Sequence, residues 1–232
     1  MAPVNPDDIE QLLELMDANF MGWATAVAQM ALPPGAWQDL EVADEAVAVL
    51  PAPIGRIALQ TRAVDLRGAQ QELLAVLRVQ TNRTGDRKGS PQGIGYCPPQ
   101  QHVTVEDGAS GSPVRADCLR LKRWGSSAQW LEKNRPDLVQ WLGSRQIVLV
   151  QPYSYLSYRY VTEAGAWVTV DALIDQRLLR PTTRSNDEFL VAGRPALQWS
   201  QDLARAVRQS AGMMDGHLAI PPFPFPTPTS RP

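Results

Sequence analysis

Apolar residues recur at spacings of three and four from Ile9 through Leu12, Leu13, Met16, Phe20, Trp23 and Val27 to Met30 or Ala31. That period predicts one amphipathic helix with a single apolar stripe. Asn5-Pro6-Asp7-Asp8 supplies its start: Asn5 caps, Pro6 suits the first helical position, and the acids favour the positive end of the helix dipole. Pro33-Pro34-Gly35 ends it, and a bend near Gly22 would divide it. Beyond it the pattern changes. Residues 41–50 read as a short helix or an extended run, closed by Pro51-Ala-Pro53. Residues 56–64 alternate in part and predict a strand, whereas 73–80 are apolar enough for a strand or a helix. The stretch 82–101, rich in Gly, Pro, Ser and Asn, is a loop. Strands are predicted at 103–105 and 114–121, separated by the turn Gly108-Ala-Ser-Gly-Ser112.

The second half alternates element types. Helices are predicted at 126–134 and 136–142, the latter started by Pro136 and stopped by Gly143. Gln146-Ile-Val-Leu-Val150 reads as a buried strand. Segments 156–161 and 166–170 flank Thr162-Glu-Ala-Gly165 and form the clearest hairpin signal in the chain. Residues 171–179 are expected to turn helical. A final amphipathic helix spans 195–213, with Leu197, Leu203, Ala206 and Val207 towards the core. Together these predict an α+β fold, a mostly antiparallel sheet from 56–170 covered by the N- and C-terminal amphipathic helices. The chain divides into an acidic helix (1–34), an α+β body (35–215) and a proline-rich tail (216–232). Residues 221–232 hold six prolines around Phe223 and Phe225. This composition favours an extended tail that is disordered or hugs the surface, with a docking peptide around Phe223 and Phe225 as the other reading.

Composition adds a class and a compartment. With 232 residues, 44% of them apolar, and seven tryptophans, the chain suits one large domain with a sizeable core. No apolar run reaches about 18 residues, so no membrane span is expected. The N-terminus lacks a basic region followed by an apolar one, so no secretory signal is expected. Both readings point to the cytoplasm. There Cys97 and Cys118, the only cysteines, are expected to be reduced, with a single disulfide as the alternative. The net charge of −2 conceals a segregation: residues 1–55 carry nine acids and no base, while the rest carry 22 bases against 15 acids. Such asymmetry marks either an interaction surface or an acidic segment packed beside a basic body.

The segment Leu12-Leu-Glu-Leu-Met-Asp-Ala-Asn-Phe-Met-Gly-Trp-Ala-Thr25, above all Asn19-Phe-Met-Gly-Trp-Ala, resembles the lid helix of α/β-hydrolases of the bacterial stress-response and karrikin-receptor type. In that family the lid accompanies a strand-rich core that carries a nucleophilic serine. Gly216-His217 is similar to the family's late histidine, but the serine and a matched acid have no counterpart. The resemblance therefore implies no catalytic role for any residue of this chain.

Candidate chemistry is sparse. His102 and His217 are the only histidines, and neither sits in a metal-ligand spacing; Cys97 and His102, five apart, make a weak pair. No metal and no cofactor are expected. Ser110 lacks the Gly-x-Ser-x-Gly frame of a nucleophile elbow, because the glycine comes one position early. Arg87 and Lys88 lie in the loop Asn82-Arg-Thr-Gly-Asp-Arg-Lys-Gly-Ser90, which suits an anionic partner, but Lys88 precedes its glycine and the Walker order is absent. Tyr153, Tyr155, Tyr158 and Tyr160 are four of the five tyrosines. On a strand Tyr158 and Tyr160 share one face and Arg159 takes the other. Arg120, Lys122 and Arg123 are near in sequence pattern. Rings beside cations suit single-stranded nucleic acid, although strands also favour tyrosine for packing alone.

The leading expectation is a non-enzymatic binding or assembly protein acting through protein–protein contacts, with a protein partner and no membrane. The alternative is a single-stranded nucleic-acid binder that uses Tyr158, Tyr160, Arg120, Lys122 and Arg123, with Arg87 and Lys88. The third is an enzyme with a dispersed site, for which Glu106, Asp107 and His102 are candidates.

Overall fold

The computed structural model describes residues 24–50, 55–82, 103–107, 116–122, 128–148, 153–161, 167–175, 195–211 and 217–223. Their strands are β1 (Trp37–Leu50), β2 (Gly55–Arg67), β3 (Leu73–Asn82), β4 (Val103–Asp107), β5 (Ala116–Lys122), β6 (Tyr153–Val161) and β7 (Trp167–Asp175). They form one seven-stranded sheet in the order β1-β2-β3-β7-β6-β5-β4, and every neighbouring pair is antiparallel. Two meanders, β1–β3 and β4–β7, therefore meet where β3 pairs with β7. The helices are α1 (residues 24–28), α2 (Ala128–Asn134), α3 (Pro136–Ser144) and α4 (Pro195–Ala211). An all-antiparallel sheet differs from the largely parallel α/β architecture that the hydrolase resemblance would bring. Of the segment carrying that resemblance, and of the long N-terminal helix, residues up to 23 lie outside the described residues.

The inner strands β3 and β7 are buried on both faces, which explains their near-continuous apolar runs Leu73-Leu-Ala-Val-Leu77 and Trp167-Val-Thr-Val170. On one face lies the main core: Val64, Leu77, Leu119, Tyr158 and Val170 of the sheet, with Trp199, Leu203 and Val207 of α4 and Val27 and Met30 near α1. On the other face a smaller core joins Val76, Tyr153, Tyr155 and Leu173 to Leu131 of α2 and Leu138 and Leu142 of α3. Each fully buried aliphatic side chain contributes roughly 1.5–3 kcal/mol. The segment 217–223, part of the expected proline-rich tail, packs into the main core. Leu218 and Ile220 are buried, and Phe223 lies 5.6 Å from the Trp37 ring and 5.0 Å from Trp199, centroid to centroid.

Several sequence expectations need correction. For residues 41–50 and 73–80 the extended alternative holds, and the sheet, expected over 56–170, spans Trp37 to Asp175. Residues 171–175, expected to turn helical, complete β7, because their pairing with β6 and β3 outweighs local propensity. Gly143 does not stop α3. The helix ends instead with Gln146 in the left-handed region (φ 57°), Ile147 N donating to Leu142 O at 3.0 Å and Gln146 N to Gly143 O at 3.0 Å. These paired bonds make a Schellman cap. The cap takes up Gln146 and Ile147, and Val148 is 72% exposed, so 146–148 is no buried strand.

Cys118, expected as a thiol, is disulfide-bonded. The only other cysteine is Cys97, which lies outside the described residues. Titration of the denatured, unreduced protein should therefore find no free thiol, and the species should run as a monomer on a non-reducing gel. Opening a loop of about 20 residues by reduction should cost roughly 3 kcal/mol, read as a lower denaturant midpoint.

Candidate functional site

Proline 136 starts the construction of the second sheet face. A residue before proline is pushed out of the helical region, and Arg135 accordingly takes φ −141° and ψ 61° between α2 and α3. Its side chain reaches Asp171 of β7, to which Nη1 and Nη2 donate, the latter at 3.0 Å. Arg135 Nε and Nη2 also donate to the Asp137 carboxylate at 2.9 and 2.8 Å, and Nη1 to the Tyr155 hydroxyl. Arg78 of β3 stands directly across from Asp171 in register and donates Nη2 to its Oδ2 at 2.8 Å. Asp171 thus lies buried between two buried guanidiniums.

The polar row continues to both sides. Towards β1, the Arg78 guanidinium sits 5.1 Å from the Trp141 ring centroid, Trp141 Nε1 donates to Glu41 at 2.9 Å, and Arg145 pairs with Glu41. Glu41 and Asp39, which pairs with Arg62 at 3.0 Å, are two of the nine acids of the N-terminal stretch. Part of the charge segregation is therefore internal pairing. Towards β4, Asp171 registers with Ser157 of β6, and Ser157 with Arg120 of β5. Arg159, two residues from Ser157, shares that face.

Electrostatics separate the two ends. Burial would raise the Asp171 carboxyl, but Arg135 and then Arg78 outweigh it and hold it far below the usual carboxylate range. Burial would likewise lower Arg135, but Asp171 and Tyr155 drive it well upward. Asp137, whose side chain is largely exposed, is held low against partial desolvation, chiefly by the hydrogen bond from Arg135. Arg120 has no such compensation. It is 8% exposed, its Nε has no hydrogen-bond partner, and no ion pair joins it to a described residue. Burial and then the like charge of Arg159 lower its affinity for its proton; Tyr155 opposes them, Arg135 adds to them, and the net shift is downward. It lies less deeply set than Arg135, below the surface beside half-buried Arg159.

The residues expected to form a ring-and-cation strand divide between faces. Tyr158 is fully buried in the main core, where its hydroxyl donates to Asp117 at 2.8 Å beside Arg208. Burial and Asp117 push that phenol upward. Tyr160 packs half-buried against the same core. Arg120 points away from both, so the strand presents no Tyr158 ring next to Arg120. Lys122 ends β5 opposite Val103. Arg123, Arg87, Lys88 and His102 lie outside the described residues, while Glu106 and Asp107 sit on β4 opposite Leu119 and Cys118. No set of three metal-ligating side chains converges among the described residues. Arg78 and Asp171 are not among the residues singled out from the sequence, and Arg159 enters there only as the residue facing away from Tyr158 and Tyr160. A usable signal was present for the first two: Arg78 is the one charge in β3, Asp171 sits in the middle of β7 between apolar residues, and a charge so placed needs a partner of opposite sign.

Comparison with known proteins gives no match: no family model, no curated protein and no solved structure is significantly similar to this chain.

Proposed function

We propose that the chain is a non-enzymatic binding or assembly protein that docks an acidic protein partner on the β5–β6 face beside α2 and α3. The observation that carries this reading is the charge left over on that face. Arg78 and Arg135 are paired there with Asp171 and Asp137, Arg145 with Glu41 and Arg67 with Asp65, and buried Asp175 shares the face, whereas Arg120 and Arg159 have no ion-pair partner among the described residues. A positive patch of this kind steers and selects an acidic surface. The buried acids support binding over proton transfer. Asp171 is held ionised far below neutral pH by two arginines, whereas a general acid or base works near its own pKa. The burial of Tyr158 takes support from the nucleic-acid alternative, which needs open ring faces beside cations. The disulfide at Cys118 favours an oxidising compartment over the cytoplasm. Among the described residues no helix is long and apolar enough to cross a membrane.

Fluorescence anisotropy with a labelled Asp/Glu-rich peptide and a labelled oligothymidine, each across a salt series, tests the reading. The peptide should bind more weakly as salt rises, and Arg159→Gln should weaken it about tenfold, the equivalent of one charge-assisted contact. Binding of the oligonucleotide without the peptide would replace this reading with the nucleic-acid one.

A further inference from the structure

A strand cannot turn one side chain without moving its neighbours. Leu119 and Leu121 are 4% and 2% exposed in the main core, so alternation along β5 holds Arg120 on the opposite face. There it lies across from Ser157, with Cys118, two residues away on the same face, across from Arg159. Other buried charges are compensated. Arg78 also has an unpartnered Nε, but its Nη2 meets Asp171 and Asp137. Asp65 has one unpartnered oxygen, but the other accepts from Arg67 at 2.7 Å. Asp117 accepts from Tyr158 and Arg208. Arg120 alone among these has like charges as neighbours, opposed only by Tyr155, with Nε unpartnered and no acidic partner among the described residues. An uncompensated buried cation destabilises a fold, and functional sites retain such costs where a ligand removes them.

We propose that Arg120 and Arg159 form the seat of a single oxyanion, a carboxylate or phosphoryl group of the bound ligand. This rests on reading the β5–β6 face as a docking surface. The planar guanidinium fork matches such groups with two parallel hydrogen bonds, a geometry a lysine does not reproduce. The bound oxyanion completes the polar row, giving Arg120 the counter-charge that Asp171 gives Arg78 and Arg135. Two faces of one sheet then hold distinct charge systems: a closed one at Asp117, Tyr158 and Arg208 within the main core, and an open one at Arg120.

The seat makes a prediction that a merely structural arginine does not. Arg120→Met keeps the stem and removes the charge, so the free protein should melt higher than wild type while its response to anions disappears. The measurement is the thermal midpoint of the full disulfide-bonded chain, titrated with inorganic phosphate and, separately, with acetate. At ten times its Kd a bound anion should raise the wild-type midpoint by about 3–5 °C. General salt stabilisation raises wild type and variant alike, so the difference between them reports the seat. A phosphate response alone assigns a phosphoryl ligand, and an acetate response alone assigns a carboxylate. No response in wild type, or an equal one in Arg120→Met, overturns the proposal, as does an anion-independent fall in the variant's midpoint. Should Arg120→Met fail to fold, Arg159→Gln decides: a severalfold weaker anion response supports the seat and an unchanged one overturns it. Failure here is separable from failure of the docking reading. Acidic-peptide binding that Arg120→Met leaves intact overturns the seat alone, whereas an anion response in a protein that binds no acidic peptide overturns the docking reading alone.

Discussion

Asp171→Asn is expected to destabilise the protein by about 3–5 kcal/mol, the cost of removing one partner from a buried charge cluster. Asn retains the volume but leaves Arg78 and Arg135, with side chains 5% and 9% exposed, facing each other without their shared counter-ion. Chemical denaturation at neutral pH measures the loss. Adding Arg78→Met to Asp171→Asn should recover part of it, because one of the stranded charges is then gone. The pH dependence has a definite sign. The native pKa of Asp171 lies below its unfolded value, so its contribution is complete above the usual carboxylate range, near pH 3.9, and is lost as pH falls through the native value. The gap between wild type and Asp171→Asn should therefore stay constant from neutral pH down to about 4 and narrow only below that. A gap that narrows between pH 7 and 5 would show that Asp171 is not held by its two arginines.

The cluster also shows how far the sequence could be read. The 156–170 hairpin, the start of the helix at Pro136 and the placement of Tyr158 and Arg159 on opposite faces follow from rules of period two and of proline geometry, and the structure has each of them. What lies opposite what is a different matter. Asp171 meets Arg78 through a pairing of strands 93 residues apart, and nothing in a local pattern specifies it. Gln146–Val148 misled for a related reason. An apolar run reads alike as a strand and as a helix cap with its hydrophobic contact, and here Ile147 joins the smaller core as that contact. Arg120, grouped with Tyr158 by the sequence pattern, is a buried cation on the face of Tyr155 and Arg159, separated from Tyr158 by the thickness of the sheet. For Cys118 the disulfide alternative holds, because composition reports a redox compartment only indirectly.

A chain ending at residue 216 should lose about 4–6 kcal/mol, because the segment that follows belongs to the core rather than to a mobile tail. Leu218 and Ile220 are 2% and 4% exposed, and each contributes roughly 1.5–3 kcal/mol by burial. The segment is also held by its backbone: Ala31 N donates to Leu218 O at 2.8 Å and Ile220 N to Ala31 O at 2.9 Å, an isolated parallel bridge just after α1. Trp199 Nε1 donates to Pro221 O at 3.1 Å, so truncation leaves that indole near the surface of α4 without its acceptor. Phe223→Ala isolates the aromatic part. It removes two edge-to-face contacts, with Trp37 and Trp199, and should cost about 1–3 kcal/mol. The proline-rich composition is compatible with this role, since an extended strap needs few backbone donors and Pro221 and Pro222 fix its direction at little entropic cost. A truncated protein with wild-type stability would return Phe223 to the status of a docking residue. The expected loss instead makes the strap a brace that joins the end of α1 to α4, on the face of the sheet opposite Arg120.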